Sequence, residues 1–395
     1  MKRSITIIKW FLISVVIGIV GGLVGTAFHL SVDLVTEVRM ENNWLVYLLP
    51  LAGLLIAFIY KKFHAETGID TNRVIKAVKT DIDVPFKMAP LIFSGTVLTH
   101  LFGGSAGREG AALQLGGSIG YNISKSVKTD KSQTHLAVMA GMSAVFSALF
   151  GTPVAAAIFS FEVARVRLRN FYEMIPCFIA SIIARLVAGF FKVAPIRFSD
   201  MVFPDIDILI VLKVALISAL CGIVAFVFCY TLHKTEHLAK KVMPNIYTRS
   251  VVCGAIIAVL TFVVRSYDYN GAGMNIINDA IGGKALWYAF IIKILFTAIT
   301  VAGGFKGGEI VPAFFIGSTL GCTLASLIGI SPALGGCIGF VALFCGAVNC
   351  PFASILLGVE IFGGNGLIFY AIICIISYIF SGNTSLYQDQ GRYSI

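Results

Sequence analysis

Charged side chains are scarce in this sequence. Lys, Arg, Asp and Glu together make up 13% of its 395 residues, whereas they make up about 25% of an ordinary soluble domain. Hydrophobic residues make up 57% of the chain, and its mean hydropathy is +0.90. This balance excludes a water-soluble globular protein, because so many apolar side chains would leave large apolar patches in water.

Motifs of metal-binding, disulfide-bonded and catalytic proteins are also missing. The nine cysteines all lie between Cys177 and Cys374, none of them forms a CxxC pair, and their number is odd. This pattern predicts small buried apolar side chains, with no disulfide framework, no metal site and no cofactor. There is no HExxH and no GxSxG with a histidine partner, which argues against an intramembrane enzyme.

Long apolar runs are plentiful instead, and several approach the length of about 20 residues that spans a bilayer. These runs predict a polytopic membrane protein. The first run continues to Leu30 and many others follow it, so we interpret it as a retained membrane helix and not as a signal peptide. The runs are 5–32, 44–60, 207–232, 250–264 and 285–302.

The net charge of +10 indicates a membrane topology and not a nucleic-acid partner, because short cytoplasmic loops collect Lys and Arg. If the basic segments are cytoplasmic, both termini are cytoplasmic too. The basic segments are 61–87, 124–131, 165–169 and 234–249. The acidic or neutral segments between them include 33–41, 198–207 and 266–279.

Segments of the first half recur in the second half at a nearly constant offset. Residues 103–118 (GGSAGREGAALQLGGS) align with 303–318 (GGFKGGEIVPAFFIGS), and residues 141–162 align with 339–360. A weaker match joins 71–78 to 274–281. The repeat predicts two homologous membrane halves, 1–200 and 201–395, but does not distinguish parallel from inverted halves. The charge pattern indicates an odd number of crossings in each half, which predicts that the second half is inverted. Inverted repeats place a binding site near the midplane, where broken helices meet.

The repeated segments predict helix starts within the membrane. Glycine pairs interrupt the apolar runs, and a helix is expected to begin at or just after Glu109 and Glu309, with two more at Pro153 and Pro351. Helix N-termini present unpaired N–H groups and partial positive charge, so several that point inward would bind a small anion. The alternative, that these glycines only permit close helix packing, does not explain the acids at the same turns.

A carboxylate beside an anion site has a specific use. When ionised, Glu109 would occupy the place of the anion, and when protonated it would leave, which predicts a gate and a proton carrier. The alternative is a static helix cap or a partner for Arg108.

The motifs GSAGREG at 104–110, GGEIVP at 307–312 and SLYQDQ at 385–390 together resemble the CLC family of anion channels and anion/proton antiporters. The resemblance covers essentially the whole chain. It implies an all-α polytopic membrane fold, an inverted repeat of two halves with broken, tilted helices, and no cytoplasmic regulatory domain. It also implies a transport protein and not an enzyme, and a homodimer with one pore per subunit. The short chain without appended domains suggests a plasma-membrane location.

The resemblance assigns site residues by position. Glu109 matches the external gating glutamate, and Tyr387 matches the tyrosine whose hydroxyl reaches the anion. Four further residues lie at the helix starts whose backbone N–H groups bind the anion in the family: Arg108, Gly110, Ile310 and Val311.

Three departures from the chloride-type pattern narrow the function. The G-S-G-x-P segment, whose serine contacts chloride, is absent, and the nearest stretch is TGIDTN at 67–72. In that stretch Thr71 would restore a hydroxyl, whereas Ile69 or Asp70 would not. Val163 stands where exchangers carry an inner proton glutamate, and the second-half motif has Glu309 where an apolar residue is usual.

These departures resemble the fluoride/proton antiporter branch of the family. Glu309 offers a second protonatable group that would replace the missing inner glutamate, and a protonated carboxyl is a strong donor for small, hydrated fluoride. The leading hypothesis is fluoride export driven by an inward proton gradient. The alternatives are a chloride channel or a chloride/proton exchanger. For Glu309 alone, the alternative is a structural ion pair with Lys306.

Overall fold

The computed structural model describes residues 2–65, 68, 70–80, 82–130, 133–166, 171–198, 201–388 and 390. Within these residues the chain is helical, and its only β-type pairing is one isolated bridge between two loops. Helices and not sheets are expected in lipid, because each helix satisfies its own backbone hydrogen bonds. The α-helices are α1 (Lys2–Glu41), α2 (Leu49–Lys62), α3 (Thr71–Lys79), α4 (Met88–Leu101), α5 (Glu109–Ser126), α6 (Thr134–Phe150), α7 (Pro153–Ala164), α8 (Ile175–Phe190), α9 (Ile208–Val242), α10 (Ile246–Val264), α11 (Met274–Ile281), α12 (Ala289–Ala302), α13 (Ile310–Ile328), α14 (Pro332–Val348), α15 (Pro351–Phe362) and α16 (Leu367–Phe380).

Six helical segments of the described chain are long and apolar enough to cross a membrane. The predicted runs 44–60 and 250–264 fall within them, and 5–32 and 207–232 overlap them almost completely, but the prediction that 285–302 approaches a full span is wrong. Helix α12 has 14 residues, about 21 Å at about 1.5 Å per residue, against an apolar core about 30 Å thick. The six segments are Ile8–Glu41, Asn43–Lys62, Tyr172–Phe190, Ile208–Val242, Ile246–Val264 and Ile310–Ile328.

The breaks predicted between short helices are confirmed. Helix α6 ends at Gly151, which has a φ of +75°, and α7 begins at Pro153 two residues later. The second half repeats this arrangement, with Asn349 at a φ of 53° before Pro351. A left-handed residue ends a helix and a proline in its first turn starts one, which explains both breaks from the local sequence.

Glycines allow two helix pairs to cross with their backbones in contact. A Cβ added to Gly120 of α5 would lie 1.9 Å from the Ala137 carbonyl oxygen of α6. A Cβ added to Gly339 of α14 would lie 1.9 Å from the Gly317 carbonyl oxygen of α13. Close packing is therefore one function of the repeated glycines, and these crossings fix the directions in which α5 and α13 enter the centre of the molecule.

Replacement of Gly339 by alanine is expected to lower the stability of the protein by about 3 kcal/mol or more, because a methyl group would overlap backbone that cannot move aside. The check is the thermal unfolding temperature and the monodisperse fraction in detergent. Gly364→Ala is the matched control, since no atom lies within 4 Å of a Cβ added there. Equal stability of the two variants would contradict the prediction.

Candidate functional site

Two loops, one from each half of the chain, meet at the centre of the molecule and are joined by a pair of backbone hydrogen bonds. The Gly107 N–H donates to the Gly308 carbonyl oxygen at 2.6 Å, and the Gly308 N–H donates to the Gly107 carbonyl oxygen at 2.8 Å. A Cβ on Gly308 would lie 2.3 Å from the backbone nitrogen of Gly110. Helices α5 and α13 therefore start side by side, directly after this contact.

The carboxylate of Glu109 lies where the two helix starts converge. Its Oε2 accepts hydrogen bonds from the backbone N–H of Arg108 at 3.0 Å and of Val311 at 3.2 Å. The second of these groups belongs to α13, so Glu109 reaches across to the other half and does not only cap its own helix. The Arg108 guanidinium instead pairs with Asp33 of α1 at 2.7 Å, so the alternative of a partner for Arg108 is not supported.

Two of the four predicted backbone groups are therefore brought to one point, and two are not. The N–H groups of Arg108 and Val311 both point at Glu109 Oε2. Gly110 and Ile310 are buried at their helix starts, but no hydrogen bond of the described chain brings their N–H groups to that oxygen. The Glu109 carboxyl group thus occupies a position that two N–H groups make suitable for an anion.

Glu309 occupies the position at the start of α13 that corresponds to that of Glu109 at the start of α5. It is the N-cap residue of α13, and its Oε2 would lie 3.5 Å from a Cβ built on Gly110 at the start of α5. Each glutamate therefore lies against the helix start of the other half. The ion pair considered between Glu309 and Lys306 is not formed in the described part of the chain. The Lys306 ammonium instead lies over the Tyr60 ring, 4.2 Å from its centroid.

A cavity of about 170 Å³ lies beside Glu309. Its wall includes Tyr387, which is buried and whose hydroxyl has no hydrogen-bond partner within the described chain. The O–H group is thus available as a donor, and its contact with an anion stays a prediction from the family resemblance. The titratable groups on the wall besides Glu309 and Tyr387 are Asp70, His233, Glu236 and Lys306.

The segment that carries Tyr387 is held from α9. His233 contacts the Ser385 carbonyl oxygen through Nε2 at 2.7 Å, and Gln388 contacts His233 Nδ1 at 3.1 Å. These bonds lie on both sides of Tyr387 in the sequence. Sequence reasoning missed His233 because the contact joins residues about 150 positions apart.

Thr71 lies on the cavity wall, but its hydroxyl is already in use. It donates to the Gly110 carbonyl oxygen at 3.3 Å and accepts from Gln114 Nε2 at 3.1 Å. In this structure the O–H of Thr71 is donated within the protein, and the anion contact expected there stays a prediction. Asp70 instead caps α3 by accepting from the Arg73 N–H at 2.9 Å, and Ile69 lies outside the described residues.

The helix starts predicted at Pro153 and Pro351 are confirmed, and each of them binds a carboxylate of the protein itself. Glu360 accepts from the N–H groups of Val154 and Ala155 at 3.1 and 2.8 Å. Glu162 accepts from those of Phe352 and Ala353 at 3.2 and 2.6 Å. Both helix starts are therefore filled by a carboxylate from the other half, a relation that local sequence does not reveal.

Comparisons with known proteins agree with this architecture. A family model described as voltage gated chloride channel matches residues 52–382. A chloride/fluoride channel protein of Pseudomonas syringae pv. tomato is 32% identical, with 97% of this chain and 86% of that protein covered. The crystal structure of a CLC-type fluoride/proton antiporter superimposes with a TM-score of 0.92 at 30% identity, over 97% of each chain. An H(+)/Cl(-) exchange transporter of Vibrio cholerae is 27% identical, over 91% of this chain and 83% of that protein.

Proposed function

The chain belongs to the voltage gated chloride channel family, or CLC family, and is an anion transport protein and not an enzyme; we propose that its principal anion is fluoride, exported in exchange for protons. The observation that carries this proposal is that each of two acidic side chains contacts the helix start of the other half of the chain. The Glu109 carboxyl accepts from the Val311 N–H of α13, and the Glu309 carboxyl lies against Gly110 of α5. The anion path proposed here runs past these two protonatable groups.

The two acids have separate tasks in this proposal. Ionised Glu109 competes with the anion for the N–H groups of Arg108 and Val311, and its protonation releases the site. Glu309 lines the cavity and carries the proton on that side, because Val163, at the position where chloride/proton exchangers carry an inner glutamate, is not ionisable. The free hydroxyl of Tyr387 donates to the anion between them.

Fluoride suits this set of donors better than chloride does. Fluoride is small and strongly hydrated, so a site for it needs strong hydrogen-bond donors that replace its water. A hydroxyl and a protonated carboxyl supply them. The fluoride named in the Pseudomonas syringae relative and in the antiporter structure supports the same choice. The second candidate is a chloride channel or chloride/proton exchanger, which is supported by the chloride named for two relatives.

We further propose the orientation in the membrane. The cavity wall includes Asp70 from the basic segment 61–87 and Glu236 from the basic segment 234–249. Basic segments remain cytoplasmic, so the cavity opens to the cytoplasm, Glu109 lies on the outer side of it, and both termini are cytoplasmic. The membrane is proposed to be the plasma membrane.

The halves 1–200 and 201–395 are proposed to be inverted repeats, and the protein a homodimer. Reciprocal contacts support the first part: Gly107 with Gly308, and the exchanged helix caps of Glu162 and Glu360. Reciprocal contacts of this kind are typical of a two-fold axis. The homodimer rests on the family relation.

Purified protein in liposomes is expected to release fluoride much faster than chloride, with a linked proton flow in the opposite direction. The measurement loads vesicles with fluoride or chloride and records the released anion and the external pH together. Empty vesicles and vesicles without a proton gradient serve as controls.

Equal or faster chloride release would overturn the fluoride assignment and favour the second candidate. Linked protons would then indicate an exchanger, and their absence would indicate a channel.

A further inference from the structure

The side chain of Gln114 carries a polar atom that the cycle above does not use. Gln114 lies on α5, is 6% exposed and lines the cavity. Its Oε1 is buried and has no hydrogen-bond partner within the described chain. A buried acceptor without a partner is costly, so this atom points to a group that binds it at some stage of transport.

The direction of the hydrogen bonds fixes which amide atom of Gln114 faces Thr71. The Gly110 carbonyl oxygen can only accept, so the Thr71 hydroxyl must donate its one proton to it. Thr71 Oγ1 can then only accept from Gln114, so the NH₂ side of the amide faces Thr71. Oε1 is the end that remains, and Thr71 holds it in place.

The Glu309 carboxyl lies against Gly110, the residue of α5 that precedes Gln114 by about one helical turn. Gly110 and Gln114 are four residues apart on α5, so they share one face of the helix. The Glu309 Oε2 lies against Gly110, and Glu309 and Gln114 line the same cavity. Glu309 is therefore an acidic residue of the cavity wall that also lies against the face of α5 that carries Gln114.

An acceptor distinguishes the two states of a carboxyl group. It repels an anion or an ionised carboxylate, but it binds an O–H group. The cavity thus contains complementary groups: the Tyr387 hydroxyl for the anion, and Gln114 Oε1 for a species that carries a proton.

We propose that Gln114 is a positioning residue for proton transfer, whose Oε1 accepts a hydrogen bond from protonated Glu309 and holds it toward the cavity. The proton stays on Glu309 until water takes it, and the amide itself gains and loses none. On deprotonation the bond is lost, and Glu309 is free to turn back toward the start of α5. This inference rests on the proposed proton-coupled function.

The decisive experiment compares Gln114→Met with the wild type in liposomes, with anion and proton fluxes recorded together. Methionine keeps the length of the side chain but cannot accept a strong hydrogen bond. We expect the proton flux and the proton-to-fluoride ratio to fall about tenfold, the effect of one lost hydrogen bond to a functional group, and the dependence on cytoplasmic-side pH to shift. Ser143→Ala is the control and should keep the wild-type ratio. It removes a buried hydroxyl that does not line the cavity and that donates to the Ser160 hydroxyl at 2.9 Å.

A second pair of variants tests the orientation without changing Gln114. Thr71→Val removes the bond that fixes the amide and should also lower the ratio, whereas Thr71→Ser keeps the hydroxyl and should restore it. An infrared difference spectrum adds a direct reading, since the band of the protonated Glu309 carboxyl, identified by its loss in Glu309→Gln, should change frequency in Gln114→Met.

An unchanged flux ratio, pH profile and carboxyl band in Gln114→Met would overturn the inference, and so would a uniform slowing of both fluxes. Failure of the proposed function is distinguishable, because it would show in the wild type as absent fluoride transport. The infrared comparison does not depend on which anion is carried.

Discussion

Glu109→Gln is expected to abolish proton-coupled exchange while the protein stays folded. A glutamine has nearly the same shape and can still accept the N–H bonds of Arg108 and Val311, but it never ionises and never carries a proton. Removal of a positioned proton-transfer group lowers a rate by about 10² to 10⁴-fold, so proton uptake linked to fluoride release should fall to the background. The measurement records external pH during fluoride efflux from liposomes.

Glu360→Gln is the matched control for this experiment. It makes the same chemical change in a carboxylate that also crosses to a helix start of the other half, but at α7. It should keep the proton-to-fluoride ratio, at some cost in stability. Proton transport that survives in Glu109→Gln would show that the gate assignment is wrong.

Glu309→Ala is expected to slow fluoride turnover by about 10²-fold, the lower end of the range for a lost proton-transfer group. Alanine removes both the proton carrier beside Gly110 and the donor that a protonated carboxyl offers to fluoride. Glu309→Gln keeps an N–H donor but carries no proton, so it should retain fluoride binding and lose turnover. Initial rates of fluoride release, together with fluoride binding by calorimetry, separate the two effects.

Glu236→Ala is the control, since Glu236 also lines the cavity but pairs with Lys240 at 2.6 Å. An exposed pair of this kind contributes about 1 kcal/mol or less, so the rate should stay within about fivefold of the wild type. If Glu309→Ala turns over at the wild-type rate, Glu309 is a structural residue and fluoride export loses its main support.

Much of the fold could be predicted from the sequence because it depends on local interactions. Apolar length predicts spans such as 207–232, and glycine followed by proline predicts the start of α7 at Pro153. The helix in the run 285–302 is shorter than predicted, because the spacing of apolar residues does not show where the helix begins. The helix starts at Tyr288–Ala289 and is too short to span a bilayer alone.

The candidate site likewise combines groups that the sequence predicts with contacts that it does not predict. The sequence by itself determined which groups are present: two acids at the starts of paired helices, and a tyrosine near the end of the chain. It also determined the family resemblance that the comparisons confirm.

Only the tertiary structure decided what these groups contact. It placed Glu109 against Val311 of α13, turned the proton of Thr71 toward Gly110, and left Gln114 Oε1 without a partner beside the cavity. The physical reason is that a hydrogen bond depends on the direction and separation of two groups, and here many of those groups lie tens to hundreds of residues apart. Their geometry is set by the glycine-mediated crossings of α5 with α6 and of α13 with α14, which no local pattern specifies.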